Sequence, residues 1–431
     1  MNRSAEPLLG AIVSNNAPSR GSALRFMGRS AGLRHAAYLV VIGGASRRVA
    51  FVMRNNSFVE TSHRRGARAL LLPLCLLLAD SPVRAQDTPV AFVGGKIITI
   101  SGAEIEDGML VIEGGKIRLV GPKGTAVPAG DGVAVRSLAG KVIMPGLVDT
   151  HSHIGGVSTG EPSSPIQPEL RVIDAFDVRD PSMQKARAGG ITTANVMSGS
   201  GLLCSGQTLY LKLRLGNSIE DLLLTNHQAG RVAGGLKMAN GTNPRRDPPF
   251  PGTRAKAAAL VREKFIAAQE YRDKIVRAKD DPEKLPARDL GLETLAEALA
   301  GQRVVQHHTH RADDILTVLR LQKEFGFRVV LHHVSEGWKV ADEIAAAKAP
   351  CSIINVDSPG GKLEAREIDW KTGAALEKAG VLVGFHTDDP VTDSRLFLRS
   401  GALAVRAGMT RGGALKGLTL AGAMMLDLQE R

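Results

Sequence analysis

At 431 residues the chain is long enough for one large α/β barrel and a small satellite domain. Its formal charge of +12 invites a nucleic-acid or acidic-membrane partner, but residues 1–68 hold 11 Arg, no Lys and 2 Glu, a charge of +9 that leaves only +3 for residues 69–431. The near-neutral remainder removes the electrostatic case for nucleic-acid binding. The three cysteines, Cys75, Cys204 and Cys351, have no pattern of a disulfide framework or a zinc site, so Cys204 and Cys351 read as buried thiols.

Residues 1–52 are rich in Arg, Ser, Gly and Ala and show no sustained periodicity. They read as upstream sequence translated ahead of Met53, or as a disordered extension. The apolar run 69–79 is too short to span a bilayer; it follows Arg64, Arg65 and Arg68 and precedes Val83-Arg84-Ala85. This is the layout of a secretory signal peptide over 53–85, and it predicts export to the periplasm or medium. N-terminal sequencing of the exported chain is expected to begin at Gln86. The Arg64-Arg65 pair leaves a twin-arginine route open, while Leu-Pro-Leu before Cys75 lacks the small residue of a lipidation site.

From 86 to 144 short β-rich runs alternate with glycine turns, at 90–93, 96–100, 109–112 and 116–120, which predicts the N-terminal part of a small β-sandwich. After Pro145 the rhythm becomes that of strands separated by helices around a parallel sheet. Eight strands are expected, at 147–153, 192–197, 208–213, 234–239, 304–308, 328–333, 351–356 and 381–385. Eight fit a closed TIM (β/α)8 barrel over 145–431, whose active site lies at the C-terminal ends of its strands. Residues 155–168 and 240–253 read as long loops near the barrel mouth. The second leads into a helix at roughly 254–277 with Val261, Phe265, Ala268 and Ile275 near one face. Ser198-Gly199-Ser200-Gly201 lacks the third glycine and the acidic partner of a dinucleotide fingerprint.

The most informative run is Val142-Ile143-Met144-Pro145-Gly146-Leu147-Val148-Asp149-Thr150-His151-Ser152-His153. Side chains alternate along a strand, so histidines at i and i+2 point the same way, within reach of one metal ion. Three later apolar runs also end in metal-competent residues: Gln306-His307-His308, Leu331-His332-His333, and Gly384-Phe385-His386-Thr387-Asp388. Together they suggest a mononuclear or polynuclear hydrolytic metal site. Adjacent histidines face opposite ways, so one of His307 and His308, and one of His332 and His333, is expected in the mouth. His310 shares the face of His308 beyond the strand end and reads as a neighbour of the ligands, a substrate contact or a surface histidine. Asp313 and Asp314 open the next helix, where capping is the better reading. Arg311 could hold a substrate carboxylate or form a surface ion pair.

On these residues the chain, from about Pro89 onward, resembles the amidohydrolase superfamily, in its imidazolonepropionase-like and Xaa-Pro-dipeptidase-like branch. The resemblance rests on Pro145-Gly-Leu-Val-Asp-Thr-His-Ser-His153, Gly190-Ile-Thr-Thr193, Leu236-Lys-Met-Ala239 with Asn243-Pro244, His308-Thr-His-Arg-Ala-Asp-Asp-Ile315, His333-Val-Ser-Glu-Gly337 and His386-Thr-Asp-Asp-Pro390. It implies that His151 and His153 bind a first metal, His308 and His333 a second, and that Asp388 ligates the first and accepts a proton from water. Lys237 resembles the lysine that bridges two metals as a carbamate, which turns a cation into an anionic two-oxygen ligand. A solvated lysine is the alternative, with Lys212 a weaker rival for the role. The implied cofactor is a pair of divalent ions, zinc first, with Mn2+, Fe2+ and Co2+ open. Neutral imidazoles, a carboxylate and an open position for water suit hydrolysis at such an ion.

Members of this branch continue past the last barrel helix with strands that complete the sandwich, whereas this sequence stops at Asp427-Leu-Gln-Glu-Arg431. A C-terminally incomplete sandwich with unpaired edges is therefore expected. The expected function is that of an exported metal-dependent amidohydrolase cleaving an amide or peptide bond in a small substrate, such as an N-acyl amino acid or dipeptide. It carries no nucleic acid and no stable membrane span in the mature chain, and a homo-oligomer stays open. The rival is a truncated, inactive relative or gene fragment that binds metal or ligand without turnover.

Overall fold

The computed structural model describes residues 88–126, 132–226, 231–279, 281–358 and 360–431, so the extension 1–52, the leader 53–85 and Cys75 lie outside the described residues. The glycine-punctuated segment after Thr88 folds into one five-stranded sheet of β1 (Val90–Ile97), β2 (Ile105–Glu113), β3 (Lys116–Pro122), β4 (Ala134–Ser137) and β5 (Val142–Ile143). Its order is β3-β2-β1-β4, with β5 also on β1. Gly114 (φ 56°) and Gly115 (φ 73°) make the two-residue turn between β2 and β3, both with the positive φ that a type I′ hairpin requires. The strands expected at 90–93 and 96–100 are one strand. Gly94 and Gly95 do not end it but sit at a shift of register against β2, a bulge that lets β1 run on to Ile97. Ala91, Met109 and Val111 form a buried cluster, while Ile117 and Val135 are exposed.

Beyond Pro145 come β6 (Leu147–Ser152), β7 (Ile191–Val196), β8 (Cys204–Gln207), β9 (Leu209–Lys212), a short hairpin of β10 (Thr225–Asn226) and β11 (Arg231–Val232), then β12 (Leu236–Ala239), β13 (Val305–Thr309), β14 (Val329–His333), β15 (Cys351–Ile353) and β16 (Val383–Phe385). Every residue of β6 is buried, as befits a strand covered on both faces. Pairing yields a three-stranded sheet, β6-β7-β9, and a six-stranded one, β16-β15-β14-β13-β12-β8, in which β12 to β16 are parallel. The third expected strand, β9, runs antiparallel to β7, against the parallel expectation. A parallel return needs a crossover element, and the connection 197–208 holds no helix, so the chain doubles back. The two sheets are not joined by strand ladders into one closed ring. Individual backbone bonds cross both gaps: Thr208 N–H to Gly235 O (3.0 Å) and Tyr210 N–H to Ala233 O (3.1 Å) on one side, Asp388 N–H to His151 O (2.9 Å) on the other.

Helices α1 (Pro181–Ala188), α2 (Arg254–Ala278), α3 (Leu290–Leu299) and α4 (Ala312–Phe325) alternate with these strands. The Thr253 hydroxyl caps α2 by accepting from Lys256 N–H at 3.1 Å. The buried face of α2 is Ala257, Val261, Phe265, Ala268 and Tyr271; Ile275, expected there, is 38% exposed. Phe265 stacks on Phe325 and Phe327 with ring centroids 5.2 Å apart in both cases. Phe265→Ala should therefore cost about 3–5 kcal/mol, from lost transfer energy plus a cavity. The urea unfolding midpoint checks this, and an unchanged midpoint would contradict the packing described. Asp313 and Asp314 do not cap α4 through their side chains: the Glu336 carboxylate accepts from Ala312 N–H (3.0 Å), while Asp314, buried, binds Arg254. Cys204 and Cys351 are buried free thiols, as expected. No described helix is long and apolar enough to cross a membrane.

Candidate metal centre

The parallel strands aim their C-terminal ends at one cluster of buried and half-buried side chains. His151 comes from the end of β6 with His153 just past it, Lys237 from β12, His308 from β13 with His310 beyond it, His333 from the end of β14, and His386 and Asp388 from the turn after β16. The i, i+2 geometry of the first pair holds. His151 Nε2 and His153 Nε2 are 3.4 Å apart and lie 3.3 and 2.9 Å from one oxygen of Asp388. His153 Nδ1 is anchored on Met197 O at 2.6 Å, which turns Nε2 toward the carboxylate. Three overlapping groups bring their ligand atoms within 4.8 Å of one another: His151, His153 and Asp388; His151, His333 and His386; and His308, His310 and His333.

Asp388 owes its place to the backbone. It sits at φ 51°, a conformation that non-glycine residues adopt at a cost, and its N–H is tied to His151 O. The preceding Thr387 donates through N–H (3.0 Å) and Oγ1 (2.6 Å) to the Asp149 carboxylate on β6. Burial drives the Asp149 carboxyl up to about 7, against the lowering effect of those bonds. Burial also works to raise Asp388, but the bond to His153 and the surrounding cationic groups outweigh it and hold its carboxyl below the usual carboxylate value.

Four of the imidazoles are kept neutral. Burial first, and then neighbouring basic groups, hold His151, His308 and His333 well below the usual histidine value, and burial, against the raising effect of Asp388, brings His386 down to about 3. Burial likewise brings Lys237 down to about 7; its Nζ lies 3.1 Å from His151 Nε2 and 3.2 Å from Met197 Sδ, with no carboxylate bonded to it among the described residues. Lys212 does not reach the cluster. It pairs with Thr193 near the start of β7, at the opposite end of that sheet, because β9 is reversed.

Alternation predicts that only one of His332 and His333 faces the mouth, and that expectation fails here. His333 is at φ 69° and Val334 at φ 43°, outside the strand region, so His332 and His333 both place their rings near His151, with centroids 4.9 and 5.1 Å away. Each has one partnered nitrogen, His332 Nε2 on Gln306 Oε1 (2.7 Å) and His333 Nδ1 beside His386 Nε2 (3.2 Å); what tells them apart is that His333, and not His332, belongs to the groups of converging ligand atoms. His307 turns to His308 O (3.0 Å), leaving His308 to face the cluster. His310 is buried and belongs to the cluster, its Nδ1 on Ser335 Oγ at 2.7 Å. Arg311, the other expected substrate contact, instead forms a two-bond pair with Asp313 (2.9 Å each) at the exposed rim.

Sequence reasoning passed over two groups. His386 had been seen only as part of a strand-end run; its Nε2 lies 3.2 Å from His333 Nδ1, and its Nδ1 2.7 Å from Ser352 Oγ. Lys362, in the Gly360-Gly361-Lys362-Leu363-Glu364 loop, places Nζ 3.2 Å from His308 Nε2 and 2.9 Å from His310 Nε2. A glycine-rich loop with a Lys and a Glu two apart carries no signal that separates it from a solvated turn.

A donor set of neutral imidazoles with one ionised carboxylate, including buried nitrogens such as His333 Nε2 and His151 Nδ1 that find no partner among the described residues, fits a divalent ion. No protein-family model matches the chain. Among curated proteins, the amidohydrolase tasK of Hapsidospora irregularis is 26% identical over 357 residues, 75% of this chain and 36% of that protein. An imidazolonepropionase of Paracoccus denitrificans is 27% identical over 368 residues, 76% of this chain and 84% of its own length. The chain thus spans little more than a third of the first relative and most of the second. The crystal structure of an amidohydrolase from Thermotoga maritima superposes with a TM-score of 0.72 at 30% identity, covering 79% of this chain and 90% of that one. The chain belongs to the amidohydrolase superfamily.

Proposed function

We propose that the protein is a metal-dependent hydrolase of an amide or peptide C–N bond in a small substrate such as an N-acyl amino acid or dipeptide. The observation that carries this reading is the convergence of His151 Nε2, His153 Nε2 and Asp388 Oδ1 at the ends of two neighbouring β segments, the lone pairs of three different residues aimed at one point. In the same reading the two sheets are arcs of a (β/α)8 barrel, an arrangement supported by the backbone bonds across both gaps.

His151, His153 and Asp388 would hold one ion; His308 and His333, with His310 and His386 beside them, would hold another; zinc is the first candidate. A divalent ion there supplies Lewis-acid polarisation of the scissile carbonyl and acidifies water. Asp388, ionised and bonded to His153, takes the proton of the attacking water on its carboxylate and returns it to the departing amine nitrogen. The Asp149–Thr387 bonds keep that carboxylate from swinging away.

Lys237 is proposed as the bridging carbamate. Only a neutral amine adds CO2, and burial without a carboxylate partner favours that form. Lys237→Ala is expected to lose about one of two metals, the loss being read by elemental analysis, and metal-free protein reloaded without CO2 should recover poorly until bicarbonate is added. A variant that keeps its full metal content and turnover would remove Lys237 from the site. Export through the 53–85 leader belongs to the same proposal. Cleavage of N-acyl amino acids and dipeptides by the metal-loaded protein, screened for amine release, tests the proposed activity directly.

A further inference from the structure

Outside the ligand set one cationic head among the described residues reaches into the cluster, and the structure shows how it is held. Lys362 Nζ is 3.0 Å from Glu364 Oε1, in an ion pair whose lysine side chain is 28% exposed and whose glutamate side chain is 2% exposed. Glu364 is fixed from behind. Its Oε2 accepts from Thr242 N–H (2.7 Å), and Arg254 at the start of α2 lies 3.7 Å away, itself held by both oxygens of Asp314 (2.9 Å each). Gly241 (φ 82°) permits this arrangement: a Cβ there would come within 2.4 Å of the Glu364 carboxylate. Asp314, Arg254, Glu364 and Lys362 therefore form a line of alternating charges from α4 and α2 to the mouth of the site.

An ammonium has three protons and no acceptor. Lys362 spends one side on Glu364 and faces the Nε2 atoms of His308 and His310 with the rest. On the function proposed above, His308 gives its Nε2 lone pair to a metal and no longer accepts from Lys362. The ammonium, kept in place by Glu364 and open to solvent on one side, then presents its remaining N–H donors toward the cluster, where a second anionic group can accept from them. Arg311, the sequence candidate for this duty, is committed to Asp313.

We propose that Lys362, positioned by Glu364, is the specificity-determining residue that receives a carboxylate of the substrate, so that the enzyme prefers amides whose amine half carries a free carboxyl group. This rests on the hydrolase reading of the same site. The test compares a panel of N-acetyl amino acids with the matching N-acetyl amino acid amides, following acetate release by the metal-loaded protein, and measures binding of the free amino acids and their amides by calorimetry. The unaltered chain should favour the acids. In Lys362→Met the ratio of acid to amide kcat/KM should fall roughly 10- to 100-fold, the usual loss for a charge-assisted hydrogen bond, and Lys362→Arg should restore much of it. Turnover with no acid preference, or a preference that survives in Lys362→Met, overturns the assignment. If no compound is cleaved, the hydrolase reading fails and calorimetry decides this inference alone. Tighter binding of carboxylates than of amides, abolished in Lys362→Met, sustains it; equal binding overturns it.

Discussion

Asp388→Asn is expected to lower kcat by about 10²- to 10⁴-fold, the range attributed to a positioned general base or acid. Asparagine matches the carboxylate in shape and can occupy the same left-handed turn at φ 51°, since asparagine tolerates that conformation better than most residues. It keeps an oxygen that can face His153 Nε2, now 2.9 Å from the carboxylate, but it cannot take a proton from water. The loss should therefore appear chiefly in kcat. Metal content measured on the same sample separates loss of proton transfer from loss of a ligand. A variant with full metal content and near-normal kcat would show that the proton goes elsewhere.

The double variant His151→Ala, His153→Ala is expected to abolish detectable turnover and to lose metal at the same time. These imidazoles and the Asp388 carboxylate form one of the three groups, with polar atoms 2.9 to 3.4 Å apart. Removing both rings leaves one carboxylate where a divalent ion needs three or four ligands. The backbone of β6 should survive, because Leu147 and Val148 pack into the surrounding apolar clusters and the strand pairs with β7 through its main chain. Circular dichroism on the purified variant separates a lost ligand set from a lost fold. Retention of stoichiometric metal by a folded double variant would move the metal site away from the β6 end.

What the sequence made legible follows from simple periodicity. Each expected strand after Pro145 lies within a few residues of an observed one, because apolar runs bounded by glycine and proline leave little choice of element. The histidines that end those runs were legible for the same reason: i, i+2 spacing on a strand is a geometric constraint, and His151 and His153 obey it. Reasoning from alternation failed where the backbone leaves the strand region, at His333, whose positive φ brings two neighbouring rings toward His151. The direction of β9 was not legible, since period-2 patterning is identical for parallel and antiparallel strands and only the missing crossover helix tells them apart. Lys362 and the Asp314–Arg254–Glu364 chain were invisible because they join loops and helix starts far apart in sequence, where no spacing rule operates. Arg311 illustrates the converse. Its position beside His310 suggested a substrate role, but Asp313, two residues away, satisfies it locally.

Metal removal and reconstitution of the unaltered chain tests the central claim most directly. Protein purified without chelator should carry about two divalent ions, as two-metal hydrolytic sites do. Dialysis against a chelator should remove the ions together with amide-bond hydrolysis, and titrating zinc, manganese or cobalt back should restore both in proportion. Hydrolysis that persists at full rate in protein shown by elemental analysis to be metal-free would contradict the account.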